Sequence, residues 1–252
     1  MMYLLFAGSM VLGLIMGSFL SMLIPRLHND EKGIFFGRSH CSRCKHILKW
    51  YELIPLFSYL IQGGKCRSCK KSIGVVYPLT ELSTAITFGV LFAYTMYWPE
   101  FIVYAILFSI LIFIFVYDLR YQEIHDAVML PGIFLAFAFS FLVGDPMSSL
   151  IGAGIGIAFF GIQWLISRGR WIGSGDIRIG AFMGFMLGLE LMILALIFGY
   201  IIGSVVGIGL LLSKKADRKS SLPLGPFLVL GTVVAFFWGQ NLIEWYLLMF
   251  LT

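Results

Sequence analysis

The 252-residue chain is 60% hydrophobic and only 12% charged, with a mean hydropathy of +0.93. A soluble protein carries about a quarter of its residues charged, and no soluble core of this size hides 24 Phe with the accompanying Leu and Ile. The chain therefore reads as a polytopic membrane protein, and its net charge of +5 as a matter of topology, not of nucleic-acid binding.

The first apolar run, residues 3–24, lacks the basic start of a signal peptide and reads as an uncleaved first span. Residues 25–76 are the one long hydrophilic segment and hold all four cysteines. Further apolar runs cover 77–97, 101–118, 127–144, 147–167, 177–189, 191–212 and 223–250. A spanning helix needs about 20 residues, so the short run 177–189 requires Asp176 near its start and a thin or tilted position. Eight spans fit best, with seven or a broken helix as alternatives. The expected fold class is an all-α membrane protein with a small four-Cys insertion. Its expected divisions are a first helix (1–24), a Cys-rich region (25–76) and a helical core (77–252).

The basic residues orient these spans. Ten lie between Arg26 and Lys71; the others are Arg120, Arg168, Arg170, Arg178, Lys214, Lys215, Arg218 and Lys219. With eight spans all 18 fall on one face, which the positive-inside rule makes cytoplasmic. The other face carries the acids Glu100, Asp145, Glu190 and Glu244.

Cys41/Cys44 and Cys66/Cys69 form two Cys-x-x-Cys pairs. Four thiolates at this spacing suit a closed, tetrahedral structural Zn²⁺ site. A reducing cytoplasm argues against the alternative of disulfides, and a segment this short needs metal to fold. His40 and His46 flank the first pair and can replace a thiolate or simply face solvent. Between the pairs Trp50, Tyr51, Phe57 and Tyr59 suit the membrane interface, and Pro55 breaks any continuous helix.

Asp118 follows FSILIFIFVY and Asp176 sits in WIGSGDIRIG. Carboxylates at the ends of membrane helices are costly and mark functional sites. On one face, near the interface, two of them can share a proton, activate water and protonate a leaving amide nitrogen, which is aspartic-protease chemistry. Gly173 and Gly175 let a polypeptide approach the backbone closely. Asp126 reads as the N-cap of the fourth span that also supports the site. The bland alternative has Asp118 capping a helix or pairing with Arg120 or Arg178. An ion-coupled transporter, or a silent assembly protein with a zinc cap, are the other readings.

Taken together, these segments resemble the type IV prepilin leader peptidases, the membrane aspartic proteases also called prepilin peptidase/N-methyltransferases. The resemblance runs through GSFLSMLIPRL (17–27), the two cysteine pairs and Tyr77-Pro78-Leu79-Thr80-Glu81. It continues through Asp118-Leu119 with Ile124-His125-Asp126, Ile172–Arg178 and Leu224-Gly225-Pro226-Phe227. It implies that Asp118 and Asp176 are the catalytic dyad at the cytoplasmic face of a bacterial inner membrane. It also implies type IV prepilin or pseudopilin precursors as substrates, presented from the membrane lipid and cut after a glycine, and S-adenosylmethionine as methyl donor for the new N-terminus. Glu52 and Glu81 are candidates for the methyl-transfer step or ordinary interfacial carboxylates. The chain departs from the family pattern at His125, where proline is usual, at Arg178 for lysine, and at Ser21 and Pro25.

Overall fold

A computed structural model describes residues 2–31, 37–41, 43–214 and 222–251. Lys32, Lys215, Arg218 and Lys219, counted above among the basic residues of one face, lie outside the described residues. The chain divides into two compact units, Met1–Phe113 and Ile114–Thr252.

The first unit holds α1 (Met2–His28), a 3-10 turn at Trp50–Glu52, α2 (Phe57–Ile61), α3 (Val76–Thr95) and most of α4 (Trp98–Tyr121). Helices α1 and α3 pack with backbones nearly touching, since a Cβ on Gly17 would stand 2.6 Å from the Glu81 Cα. Small residues permit such contact where lipid supplies no hydrophobic drive. Hydroxyls on α3 stay satisfied within the helix, as Thr84 Oγ1 donates to the Thr80 carbonyl at 2.7 Å. Pro55 separates the 3-10 turn from α2, as expected of a residue without an amide proton. Trp50 and Phe57 are exposed, while Tyr51 packs under the Arg67 guanidinium at 5.0 Å.

The second unit holds the end of α4, α5 (Asp126–Val143), α6 (Pro146–Ser167), α7 (Ser174–Leu212) and α8 (Gly225–Leu251). Asp145 caps α6 by accepting the amide protons of Met147 and Ser148 at 3.1 and 3.3 Å, and Pro146 opens the helix. Helix α7 is broken at Gly188, whose φ of 76° and ψ of −177° fall in a region open essentially to glycine alone. Its two halves run in opposite senses along α6. In the first half Gly180 faces Gly156 and Gly184 faces Gly152. At the break the Leu189 amide donates to Ser148 Oγ at 3.0 Å. In the second half Tyr200 Oη donates to Gln163 Oε1 at 3.3 Å. Among the described residues seven helices are long and apolar enough to cross a membrane, and this reversal makes α7 two passes, eight in all.

The register also sets Asp176 against α6. Continuing the Gly184–Gly152 and Gly180–Gly156 pairing one turn places Asp176 level with Phe160, about two turns or roughly 10 Å before α6 ends. The first half of α7, residues 174–187, is about 21 Å long, short of a hydrocarbon core of about 30 Å. The first half of α7 is thus short for a full crossing, as the apolar run 177–189 suggests, with Asp176 in its first turn.

Candidate active site

Asp118 lies one turn before the end of α4 and is 7% exposed. Its Oδ2 accepts the amide proton of Gly225 at 2.8 Å, the first residue of α8. A helix N-terminus offers free N–H groups and a positive dipole end, so it orients an acid well. The approach needs glycine, because a Cβ at Gly225 would stand 2.6 Å from Asp118 Oδ2. Sequence reading places Gly225 only in a motif. The detectable signal is a Gly-Pro pair opening an apolar helix, but nothing local points to a partner 107 residues away.

Asp176 is the third residue of α7 and folds back on its own turn. Its Oδ2 accepts the Gly173 amide proton at 3.0 Å, while its amide donates to the Gly173 carbonyl at 3.2 Å. This reciprocal cap fixes the side chain. Gly175 leaves room for Ile124, whose Cγ1 would be 2.6 Å from a Cβ there. The α4–α5 connection is thus pressed against the start of α7. Asp118 and Asp176 are close enough for the charge of one to be felt at the other, and the Tyr200 phenol is within electrostatic reach of Asp176.

Arg178 and Asp126 clamp the same junction, Nη1 to Oδ1 at 2.6 Å. Both are substantially exposed, so the pair adds at most about 1 kcal/mol and serves to hold α5 against α7. The N-cap of α5 is His125, not Asp126: His125 Nδ1 accepts the Ala127 amide proton at 3.3 Å. Asp126 is already helical, and its carboxylate is drawn away by Arg178. The His125 ring packs edge-on against buried Tyr117, 5.8 Å between centroids.

A second cluster lies in the first unit. Sγ of Cys41 is 4.0 Å from Cys69, Sγ of Cys44 is 4.0 Å from Cys66, and all four lie within 4.8 Å of one another. A tetrahedral zinc with bonds of about 2.3 Å sets its sulfurs about 3.8 Å apart, so the four thiols fit the ion. The two loops repeat each other. The amides of Cys41 and Cys66 donate to the carbonyls of His46 and Lys71, both at 2.9 Å, and Lys45 and Lys70 both have positive φ. Burial disfavours the Cys41 thiolate, but the backbone N–H groups of Cys44 and Arg43 bring its pKa down to about 7. The histidines stand apart from the thiols: His40 Nε2 faces Lys45 Nζ at 3.3 Å, and His46 faces Glu52 at 3.8 Å. Cys66→Ser, or stripping the metal with a chelator, is expected to open residues 37–75. Limited proteolysis there should become several-fold faster, with bound zinc lost in parallel.

Glu52 and Glu81 are both buried, at 7% and 8% exposure. Glu52 Oε2 accepts the Lys49 amide proton at 2.9 Å, and Oε1 lies 3.9 Å from Arg67 Nε. Glu81 Oε2 accepts the Leu56 amide proton at 2.8 Å.

Residues 11–95 match the bacterial peptidase A24 N-terminal domain family, and residues 105–208 match the type IV leader peptidase family. A prepilin leader peptidase/N-methyltransferase of Bacillus subtilis is 33% identical, over 95% of this chain and 96% of its own. Proteins of the same description from Pseudomonas aeruginosa (28%, 95% and 92%) and Myxococcus xanthus (34%, 81% and 62%) are also similar. No solved structure is significantly similar. The first match contains all four cysteines and the second contains both aspartates. With relatives aligned over nearly their whole length, the chain belongs to the type IV leader peptidase family.

Proposed function

We propose that this protein removes the short basic leader from type IV prepilin or pseudopilin precursors, with Asp118 and Asp176 as the catalytic pair. The observation that carries this is the convergence of the two carboxylates, each held by one backbone N–H from a helix start. Two carboxylates within electrostatic reach of each other favour holding one proton between them. The ionised member takes a proton from water as the water oxygen attacks the scissile carbonyl. The protonated member supplies a proton to the nitrogen as the C–N bond breaks. The leader leaves with a new carboxyl group and the mature pilin with a new amine. Among the described residues each aspartate accepts one backbone hydrogen bond, at Oδ2, and in this reading Oδ1 faces the water.

The protein is a multi-pass inner-membrane enzyme, and its bacterial relatives agree with that placement. We place the dyad and the Cys-rich loop on the cytoplasmic side, because the basic residues collect there. The cut then falls where a basic leader gives way to an apolar pilin helix. We divide the work along the chain: residues 25–76, after the helix at 1–24, form the zinc-stapled region, and 77–252 supply the peptidase core. Cys41, Cys44, Cys66 and Cys69 would hold Zn²⁺, which supplies a structural closure. We further infer an N-methyltransferase step, which the description of the relatives supports and for which S-adenosylmethionine would supply the methyl group.

Gly225→Ala tests the support of Asp118. The new Cβ would drive the carboxylate from its 2.8 Å bond, so kcat/KM for leader cleavage should fall about 10–100-fold, of the order expected for a misplaced catalytic group. The check is processing of a purified prepilin in detergent, with the amount of folded protein unchanged.

A further inference from the structure

In the peptidase step Asp118 and Asp176 account for the protons that move, but negative charge also builds on the scissile carbonyl oxygen as water adds. A fixed O–H or N–H aimed at that oxygen is a large part of catalysis in acyl transfer. Tyr200, on the second half of α7, brings an O–H to this level of the bundle. Its ring packs edge-on against Phe159 of α6, 5.7 Å between centroids, and its hydroxyl donates to Gln163 Oε1. The pairing of the first half of α7 with α6 sets Asp176 level with Phe160, the residue next to Phe159. Gly199 and Gly203, on either side of Tyr200, take the start of α8. A Cβ at either glycine would stand 3.2 Å from Phe227, from its carbonyl oxygen in the one case and its Cδ2 in the other. Phe227 follows closely on Gly225, whose amide holds Asp118. Contacts through α6 and through α8 thus bring Tyr200 to the level of both carboxylates, and its phenol is within electrostatic reach of Asp176.

The geometry points to Tyr200 as a third catalytic residue, whose phenolic O–H donates a hydrogen bond to the scissile carbonyl oxygen as the tetrahedral intermediate forms. The inference rests on the peptidase reading given above. As the water oxygen bonds to the carbonyl carbon, its proton passes to the ionised aspartate and the C=O electron pair passes to the carbonyl oxygen. That oxygen then accepts the Tyr200 hydrogen bond, and the proton stays on the phenol throughout. When the C–N bond breaks, the electron pair returns to the carbonyl and the protonated aspartate serves the departing nitrogen. The resting bond from Tyr200 to Gln163 is 3.3 Å, long for a hydroxyl on an amide oxygen, so it yields to a charged acceptor. Gln163 Nε2 donates to the Phe159 carbonyl of its own helix at 3.2 Å, so the amide keeps its place when the phenol turns away.

A tyrosine–glutamine pair can also do no more than tie α6 to α7. Steady-state cleavage of a purified prepilin by the full-length protein separates the two roles. Wild type is compared with Tyr200→Phe, Gln163→Leu and the double variant, with thermal unfolding of each. Tyr200→Phe keeps the ring against Phe159 and loses only the hydroxyl. Its kcat should fall about 10²-fold, the loss seen on removing one oxyanion donor. KM should stay within about twofold of wild type, because the contact is made only in the transition state. Gln163→Leu should keep kcat within about threefold of wild type, the worth of an average hydrogen bond between membrane helices. The double variant should match Tyr200→Phe, and because it removes both polar partners together it serves if the single variant fails to fold. A kcat for Tyr200→Phe, or for the double variant in its place, within about threefold of wild type would overturn the assignment. Equal losses in Tyr200→Phe and Gln163→Leu that track a lower unfolding temperature would overturn it too, leaving the pair a tie between helices. If wild type cuts no prepilin, the peptidase reading itself falls, and the role of Tyr200 with it.

Discussion

Asp118→Asn or Asp176→Asn should each lower kcat for leader cleavage by on the order of 10³-fold or more, with little change in KM. Asparagine has the size of aspartate, and its carbonyl oxygen can still accept from Gly225 or Gly173, so both helix junctions survive. What it lacks is a transferable proton and a negative charge. With one member neutralised, the pair can no longer both deprotonate water and protonate the leaving nitrogen. Asp126→Asn provides the contrast. It removes an exposed pair to Arg178 and leaves the dyad chemistry in place, so a loss of less than about tenfold is expected, consistent with the small worth of exposed ion pairs. Single-turnover processing of a purified prepilin, normalised to folded enzyme, separates the two behaviours.

Gly184→Leu should be the most damaging change away from the carboxylates. A Cβ at Gly184 would run into the amide nitrogen and Cα of Ala153 and the carbonyl carbon of Gly152. These are backbone atoms, which cannot rotate aside as a side-chain tip can. Helices α6 and α7 must separate, and the hairpin that carries Asp176 loses its wall. The cost should exceed about 3 kcal/mol, seen as loss of the folded species in size-exclusion chromatography and thermal unfolding, with activity lost at the same time. Gly154 lies on the same α6 helix with nothing within 4 Å of its would-be Cβ. Gly154→Ala should leave stability unchanged or raise it by up to about 1 kcal/mol, the helix-propensity difference.

The helical architecture was legible because hydrocarbon imposes long apolar runs, and the four cysteines because ligand spacing is local. The reversal inside α7 was nearly so: the runs 177–189 and 191–212 meet at Glu190, but the turn is made at Gly188, where a positive φ is tolerated. The errors and omissions share one cause, partners remote in sequence. Aspartate is the better N-cap by propensity, yet Arg178 takes Asp126 and leaves the cap to His125. The support of Asp118 by Gly225 crosses 107 positions. The burial of Glu52 and Glu81 depends on how residues 37–75 fold back on the first helices, which neither WYELIP nor YPLTEL announces. Paired membrane aspartates also suit an ion-coupled transporter. The match to the leader peptidase family, which no single aspartate supplies, decides between them.

Leader cleavage by this pair of aspartates is tested by incubating the purified protein with a prepilin whose leader ends in glycine and reading both products by mass spectrometry. Wild type should yield a leader ending in that glycine and a mature chain beginning at the next residue, with neither product from Asp118→Asn or Asp176→Asn. Several prepilins left intact by wild type, or the same cut made by either variant, would contradict it.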